Sequence, residues 1–91
     1  MEIDADLMEI FLEEMRGRID LLYQYRRDDQ VEELKDLIHR IKGTGGSFGY
    51  QEVTEIALRI ESNMDEGDWT AVDTELNNLS SWFHRTVPGQ G

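Results

Sequence analysis

Residues 31–49 of the chain read VEELKDLIHRIKGTGGSFG. Apolar or small residues recur in this stretch at three- and four-residue steps, the spacing of a helix with one face turned to a protein interior. These residues are Val31, Leu34, Ile38, Ile41, Gly45 and Phe48. The pattern predicts one helix that ends at Gly49, because glycine readily adopts the left-handed backbone of a helix end.

The rest of the chain has the same helical period and no strand-like alternation. We predict three more helices, at about residues 4–26, 51–66 and 69–85. Their predicted interior residues are Leu7, Ile10, Phe11, Met15, Ile19, Leu22 and Tyr25 in the first, Val53, Ile56, Ala57, Ile60 and Met64 in the third, and Trp69, Val72, Leu76, Leu79 and Phe83 in the fourth.

Helix-capping residues separate the predicted helices. Asp4 or Asp6 is expected to cap the first, Asp29 the second through an acidic capping box with Glu32, and Asp68 the fourth. Because the connections are short, the sequence predicts an all-α fold, an antiparallel up-down four-helix bundle. We expect residues 1–87 to form the bundle and residues 88–91 to be a short tail or the remnant of a linker.

Composition limits the partners of the chain. It has 91 residues, 20 acidic and 9 basic, with a formal net charge of -11. Such a charge repels nucleic acid and anionic membrane surfaces, so we expect protein partners, no nucleic acid and no direct membrane contact. A single small domain is expected, monomeric in isolation.

The chain lacks cysteine, which excludes a disulfide framework and a thiolate metal site. Its first residues lack the features of a secretory signal, and no apolar run approaches the roughly 20 residues of a membrane span. We therefore expect the chain in the cytoplasm.

His39 faces solvent on the second predicted helix. At about 100° per residue it lies roughly 140° from the interior stripe, and four residues fall within about 60° of it, namely Lys35, Lys42, Gly43 and Gly46. Each glycine costs roughly 1 kcal/mol in a helix interior relative to alanine. Gly43 and Gly46 are explained if they leave space beside the imidazole for an approaching partner, whereas Gly45 lies on the interior stripe and lets a neighbouring helix pack close.

This grouping suits a histidine that carries a phosphoryl group. The nucleophilic ring nitrogen needs open space, and the other nitrogen needs a fixed hydrogen-bond partner. Lys42 would offset the charge of phosphoryl oxygens. Taken singly, an exposed histidine and an exposed lysine are also common as inert surface residues.

The motif His39-Arg40-Ile41-Lys42-Gly43, with small residues from Thr44 to Ser47 and then Phe48-Gly49, resembles the signature of histidine phosphotransfer (Hpt) domains. That signature reads His-x-(Ile/Leu)-Lys-Gly, small residues, an apolar residue and Gly. The resemblance covers nearly the whole chain, because Phe11-Leu12-Glu13-Glu14 and Gly67-Asp68-Trp69 also look like family features. It implies a four-helix bundle that exchanges a phosphoryl group with an aspartate of a response-regulator receiver domain in a two-component phosphorelay. The domain would be a phosphocarrier without kinase activity or a nucleotide site.

The resemblance also implies roles for individual residues. The family tends to have an acidic residue or glutamine late in the helix after the motif, and Glu61 stands at that place. Glu61 would accept a hydrogen bond from Nδ1–H of His39 and leave Nε2 outward to receive the phosphoryl group. Lys35, Arg40, Gly43 and Gly46 would form the receiver-docking surface, and Arg59 is expected to add positive charge there. No cofactor is expected on this chain, because the Mg²⁺ of the reaction would belong to the receiver.

Three other functions compete with phosphotransfer. A glycine-rich nucleotide loop is disfavoured because no strand precedes Gly43 and Phe48 stands where a third glycine would be needed. A metal site is disfavoured because His39 and His84 are the only histidines and are far apart in sequence. A helical module that binds a receiver or kinase without phosphotransfer stays open. So does the context, because the resemblance fits a free-standing carrier, the last domain of a hybrid sensor kinase or the first domain of a chemotaxis-type kinase. In a sensor kinase the chain would be the cytoplasmic part of a membrane-bound protein.

Overall fold

The computed structural model describes residues 5–86 and contains four helices. They are α1 (Ala5–Arg27), α2 (Val31–Ser47), α3 (Gln51–Asp65) and α4 (Trp69–Thr86). Each helix packs against its two neighbours in the ring α1–α2–α3–α4. The predicted all-α four-helix bundle is confirmed. The expected cap Asp4 and the predicted tail at residues 88–91 lie outside the described residues, and the proposed division of the chain stays a prediction.

The core consists of apolar side chains from one stripe of each helix. The buried hydrophobic residues are Phe11, Met15, Ile19, Leu22, Leu34, Leu37, Ile38, Ile41, Val53, Ile56, Ala57, Ile60, Val72, Leu76, Leu79, Trp82 and Phe83. Most of them were predicted from helical period, while Leu37 and Trp82 were missed because they lie at the edges of their stripes. None of the four described helices is long and apolar enough to cross a membrane.

The first turns of α1 depart from the predicted core. Leu7 and Ile10 are 52% and 53% exposed. The ring of Phe11 stacks on that of Phe48, which caps the C-terminal end of α2, with centroids 4.6 Å apart. Leu7 lies one turn before Phe11 and therefore beyond the last turn of α2, and Ile10 is about 100° around the helix from Phe11. The interior stripe of α1 consequently begins at Phe11.

The predicted capping box of Asp29 and Glu32 at the start of α2 is wrong. Asp29 has a φ of 57°, in the left-handed region, and the amide of Gln30 donates to the carbonyl of Tyr25 at 2.8 Å. Asp29 therefore ends α1, since aspartate tolerates this conformation better than most residues. A residue in that conformation cannot also be an N-cap, and Gln30 takes this position without a side-chain hydrogen bond to the helix.

The other helix ends agree more closely with those predicted from the sequence. Gly49 and Gly67 have φ values of 79° and 71° at the ends of α2 and α3, as predicted. The carboxylate of Asp68 accepts a hydrogen bond from the amide of Ala71 at 3.1 Å, so the predicted cap of α4 is confirmed. Asp6 lies inside the first turn of α1 rather than before it.

Gly45 brings α2 and α3 into close contact. It is buried, and a Cβ atom at this position would lie 2.8 Å from Cγ1 of Val53, closer than real carbon atoms approach. The predicted packing role of Gly45 is confirmed. This approach places the outer faces of α2 and α3 side by side and brings together the residues described below.

Candidate functional site

His39 lies on the solvent-facing side of α2, with 72% of its side chain exposed. The opposite side of the same helix buries Leu34, Ile38 and Ile41, which hold it against the bundle. The imidazole is thus presented to solvent by a helix whose position the core fixes. This is the orientation that the helical period predicts.

Glu61 extends from α3 toward both His39 and Lys42. Its Oε2 atom lies 3.5 Å from Nδ1 of His39, slightly beyond the usual length of an N–H···O hydrogen bond. Its Oε1 atom accepts a hydrogen bond from Nζ of Lys42 at 2.8 Å. Lys42, which the sequence assigns to the phosphoryl group, is therefore paired with Glu61 here. The three predicted residues form one cluster with the carboxylate at its centre.

The charge of Glu61 is set by opposing effects. Partial burial raises the pKa of its carboxyl group. The hydrogen bond and positive charge of Lys42, with a further contribution from the nearby His39, lower this pKa by more, so the net shift is downward. Glu61 is therefore ionised at neutral pH. Because its pKa is lowered on folding, its contribution to stability is present at neutral pH and is lost as the pH falls through the folded-state pKa.

Gly43 and Gly46 leave the surface beside His39 open. A Cβ atom at Gly43 would meet nothing within 4 Å, and one at Gly46 would only touch Oγ1 of Thr54 at 3.7 Å. Beyond Gly46 the groove between α2 and α3 widens into a shallow cavity of about 300 Å³, lined by Gly46, Gly49, Gln51 and Thr54. Neither glycine is needed for packing.

The positive side chains near His39 differ from three arginines elsewhere in whether they form ion pairs. Lys35 and Arg40 are exposed on α2, and neither forms an ion pair within residues 5–86. In contrast, three arginines pair with acids of another helix, as Arg26–Asp73, Arg59–Glu75 and Arg85–Glu52. The expectation that Arg59 adds charge to the His39 surface is wrong, because its guanidinium is held by Glu75 of α4 at 3.0 Å.

Three residues around this site were not predicted from the sequence. Thr54 of α3 donates its hydroxyl hydrogen to the backbone carbonyl of Lys42 at 3.1 Å. Arg18 of α1 donates to Oγ1 of Thr44 at 3.2 Å, on the other flank of α2. Leu58 is 49% exposed, one turn before Glu61. Of the three, only Leu58 could have been noticed in the sequence, as an apolar residue that lies off the interior stripe of α3. Thr54 and Arg18 form hydrogen bonds between helices, and such bonds produce no regular spacing in the sequence.

No arrangement resembling a metal site occurs in the part of the chain that the structure describes. Within residues 5–86, no group of three or more histidine, cysteine, aspartate or glutamate side chains could hold a metal ion. His84 lies in the last turns of α4 with its ring 5.9 Å from that of Phe83. At His39 the structure brings together an exposed imidazole, an ionised carboxylate beside Nδ1 and an ammonium group next to that carboxylate, an arrangement in which an imidazole can act as a nucleophile.

Comparison with known proteins gives matches over almost the whole chain. A family model described as "Hpt domain" matches residues 6–82. "Phosphorelay protein LuxU" from Vibrio vulnificus strain YJ016 is 35% identical over 89 residues, covering 93% of this chain and 77% of that protein. The protein of the same name from Vibrio harveyi is 28% identical, with 93% and 78% covered. No solved structure matches.

Proposed function

Because the chain belongs to the Hpt domain family, we propose that His39 accepts a phosphoryl group from, or passes it to, an aspartate of a response-regulator receiver domain. Family membership gives the chain a histidine phosphotransfer role in a two-component phosphorelay. The observation that supports His39 as the carrier is its exposed imidazole, with Nδ1 directed at the ionised Glu61.

The proposed reaction is an in-line displacement at phosphorus. With a proton on Nδ1, the lone pair of Nε2 attacks the phosphorus of an aspartyl phosphate; the N–P bond forms as the bond to the aspartyl oxygen breaks, and the carboxylate leaves. The ring becomes positively charged. Glu61 fixes the Nδ1–H tautomer and stabilises that charge, with the His39–Glu61 contact shortening from 3.5 Å. The reverse displacement returns the phosphoryl group to an aspartate.

Lys42 has two anionic partners in this scheme. Before transfer its ammonium group is bonded to Glu61. When the dianionic phosphoryl group arrives on His39, three residues earlier on the same helix, the ammonium offsets its charge. As Lys42 turns toward the phosphoryl group, Glu61 becomes free to bond more closely to the charged imidazole. The pairing of Lys42 with Glu61 thus suits the resting state of the carrier.

A receiver domain is the proposed partner of the exposed surface around His39. Lys35 and Arg40 would attract the acidic pocket of the receiver, which also holds the Mg²⁺ of the reaction, and Gly43 and Gly46 would let its loops approach. A histidine kinase is a second proposed partner. We propose a carrier without kinase activity that works in the cytoplasm. The alternative, a module that binds a receiver or kinase without phosphotransfer, would use the same surface.

The test of this function is a transfer assay. The chain is incubated with a panel of receiver domains carrying radioactive aspartyl phosphate, and separately with phosphoramidate, a small donor to accessible imidazoles. We expect label that is labile in acid, stable in base and located by mass spectrometry in the peptide containing His39. Binding of receivers without label from any donor would support the interaction module instead.

Replacing Glu61 by glutamine should slow phosphorylation of His39 without abolishing it. The nucleophile remains, but the charge that stabilises the developing imidazolium is lost. A hydrogen bond to a charged group contributes about 1.5–3 kcal/mol, so we expect a decrease of about tenfold to a hundredfold in the transfer rate constant. Single-turnover transfer from a phosphorylated receiver measures it. Glu66→Gln is the control, since Glu66 is an exposed acid just beyond α3, and equal rates for both variants would remove Glu61 from the mechanism.

Adding bulk at Gly43 or Gly46 should impair docking but not folding. Gly43→Gln and Gly46→Gln place a long side chain on the open surface, where the structure has space for Cβ. We expect helical circular dichroism to persist and the melting temperature to stay the same or rise, since glycine costs roughly 1 kcal/mol in a helix. Transfer from a receiver should slow several-fold, while phosphorylation by phosphoramidate should not change. If either variant accepts the phosphoryl group from a receiver at the wild-type rate, the proposed role of the glycines in access is contradicted.

A further inference from the structure

We propose that Thr54 is a positioning residue for phosphotransfer, which fixes α3 against α2 and thereby sets the distance between Glu61 and His39. This inference rests on the proposed function of His39. Thr54 is half-buried on α3, and its hydroxyl donates to the backbone carbonyl of Lys42 at 3.1 Å. In the described residues its hydroxyl bonds to the Lys42 carbonyl and not to His39, so we expect its influence on the reaction to pass through the placement of the two helices.

Lys42 is bonded to α3 at two points. Its carbonyl accepts from Thr54, and its ammonium donates to Glu61 at 2.8 Å. Thr54 and Glu61 are seven residues apart, which places them on the same side of α3 two turns from each other. The first bond joins a backbone oxygen to a short side chain with one χ angle, whereas the second depends on the long, flexible side chain of lysine. The Thr54 hydroxyl therefore adds a directional bond to the packing of Gly45 against Val53, which joins the same two helices.

Gly45 of α2 makes this bond possible. A Cβ atom at Gly45 would lie 3.2 Å from Oγ1 of Thr54, and one at Gly46 would lie 3.7 Å from it. Because Gly45 has no side chain, α3 comes close enough for a short hydroxyl to reach a carbonyl inside a neighbouring helix, whereas a Cβ atom at Gly46 would make only an ordinary contact. That carbonyl also belongs to the continuous helix α2, so it keeps its own backbone hydrogen bond if the threonine hydroxyl is removed.

The spacing of α2 and α3 matters because the distance between His39 and Glu61 is only slightly longer than a hydrogen bond. Nδ1 and Oε2 are 3.5 Å apart, and an N–H···O hydrogen bond forms mostly between about 2.7 and 3.2 Å. A separation of the helices by a few tenths of an ångström would take Glu61 out of reach, while the fixed spacing lets a small rotation of either side chain complete the bond. Thr54 would thus act on the rate of transfer rather than on receiver binding.

The test compares Thr54→Val, which removes the hydroxyl at nearly constant volume, with Thr54→Ser, which keeps it. Transfer from a receiver is measured at increasing receiver concentration, and nitrogen NMR measures the fraction of the Nδ1–H tautomer of His39. For Thr54→Val we expect a maximal rate about fivefold to tenfold lower, a half-saturating concentration within about twofold of wild type, and a smaller Nδ1–H fraction. Thr54→Ser should recover the maximal rate to within about twofold.

Thr74→Val is the matched control. The Thr74 hydroxyl also donates to a helical carbonyl, that of Thr70 at 3.2 Å, but within α4 and away from the site. This variant should transfer at the wild-type rate. A Thr54→Val protein with wild-type maximal rate and tautomer, or one changed only in half-saturating concentration, would overturn the proposal. If the wild-type chain takes no label, the proposed function fails; if it does and Thr54→Val behaves normally, only the role of Thr54 fails.

Discussion

Replacing His39 by glutamine is expected to reduce phosphorylation from a receiver below about one thousandth of the wild-type amount. Glutamine keeps the length and polarity of the side chain, but its amide nitrogen is not a nucleophile, so no N–P bond can form. The fold should be unaffected, because 72% of the His39 side chain is exposed and its one charged neighbour within 4.0 Å in the described structure is Glu61. Label transferred from a radioactive receiver, with circular dichroism of the same sample, measures both effects.

His84→Gln is the control for this result. His84 is the other histidine of the chain, is exposed on α4 and takes no part in the cluster around Glu61. Its replacement should leave the label unchanged and labile in acid. Label that persists in His39→Gln would place the chemistry on another residue. Loss of label in His39→Gln with unchanged binding of the receiver would separate the phosphotransfer function from docking.

The periodicity of apolar residues predicted most of the fold. Each helix was placed to within about two residues, and the side of α2 that carries His39 followed from the positions of Leu34, Ile38 and Ile41. This success has a physical cause, since a helix in a small bundle must bury one continuous stripe. The errors occurred where the stripe extends past the end of the neighbouring helix, as at Leu7, where a residue lies to one side of the stripe, as at Ile10, or where a residue can serve either of two adjacent helix ends, as at Asp29.

The sequence predicted which residues form the site but not which of them bond to each other. The motif and the family resemblance pointed to His39, Lys42 and Glu61, yet nothing in the sequence showed that Lys42 bonds to Glu61. Long charged side chains have many rotamers, so their partners depend on the distance between helices rather than on spacing along one helix. The same reason explains why Arg59 was assigned to the wrong surface.

Alanine at Gly43 and alanine at Gly45, both on α2, should change the free energy of unfolding in opposite directions. Gly43→Ala is expected to raise the free energy of unfolding by about 1 kcal/mol, because its Cβ enters open space and alanine favours the helix. Gly45→Ala gains the same propensity, but its Cβ would lie 2.8 Å from Cγ1 and 3.0 Å from Cβ of Val53. Overpacking of this kind costs about 1–3 kcal/mol, so a net loss of up to about 2 kcal/mol is expected. Denaturant unfolding followed by circular dichroism measures both.

Val53 determines how large this loss becomes. It is fully buried and β-branched, so it has little freedom to turn away from a new methyl group, and α3 itself must move. Val53→Ala alone should lower stability by leaving a cavity, but in the Gly45→Ala background the added methyl group fills part of that space. We expect the double variant to be more stable than the sum of the single effects by about 1 kcal/mol. Additive effects, or a Gly45→Ala variant as stable as Gly43→Ala, would contradict the close approach of α2 and α3. Because the same approach brings Thr54 to the Lys42 carbonyl, the double variant should also recover part of any transfer rate that Gly45→Ala loses.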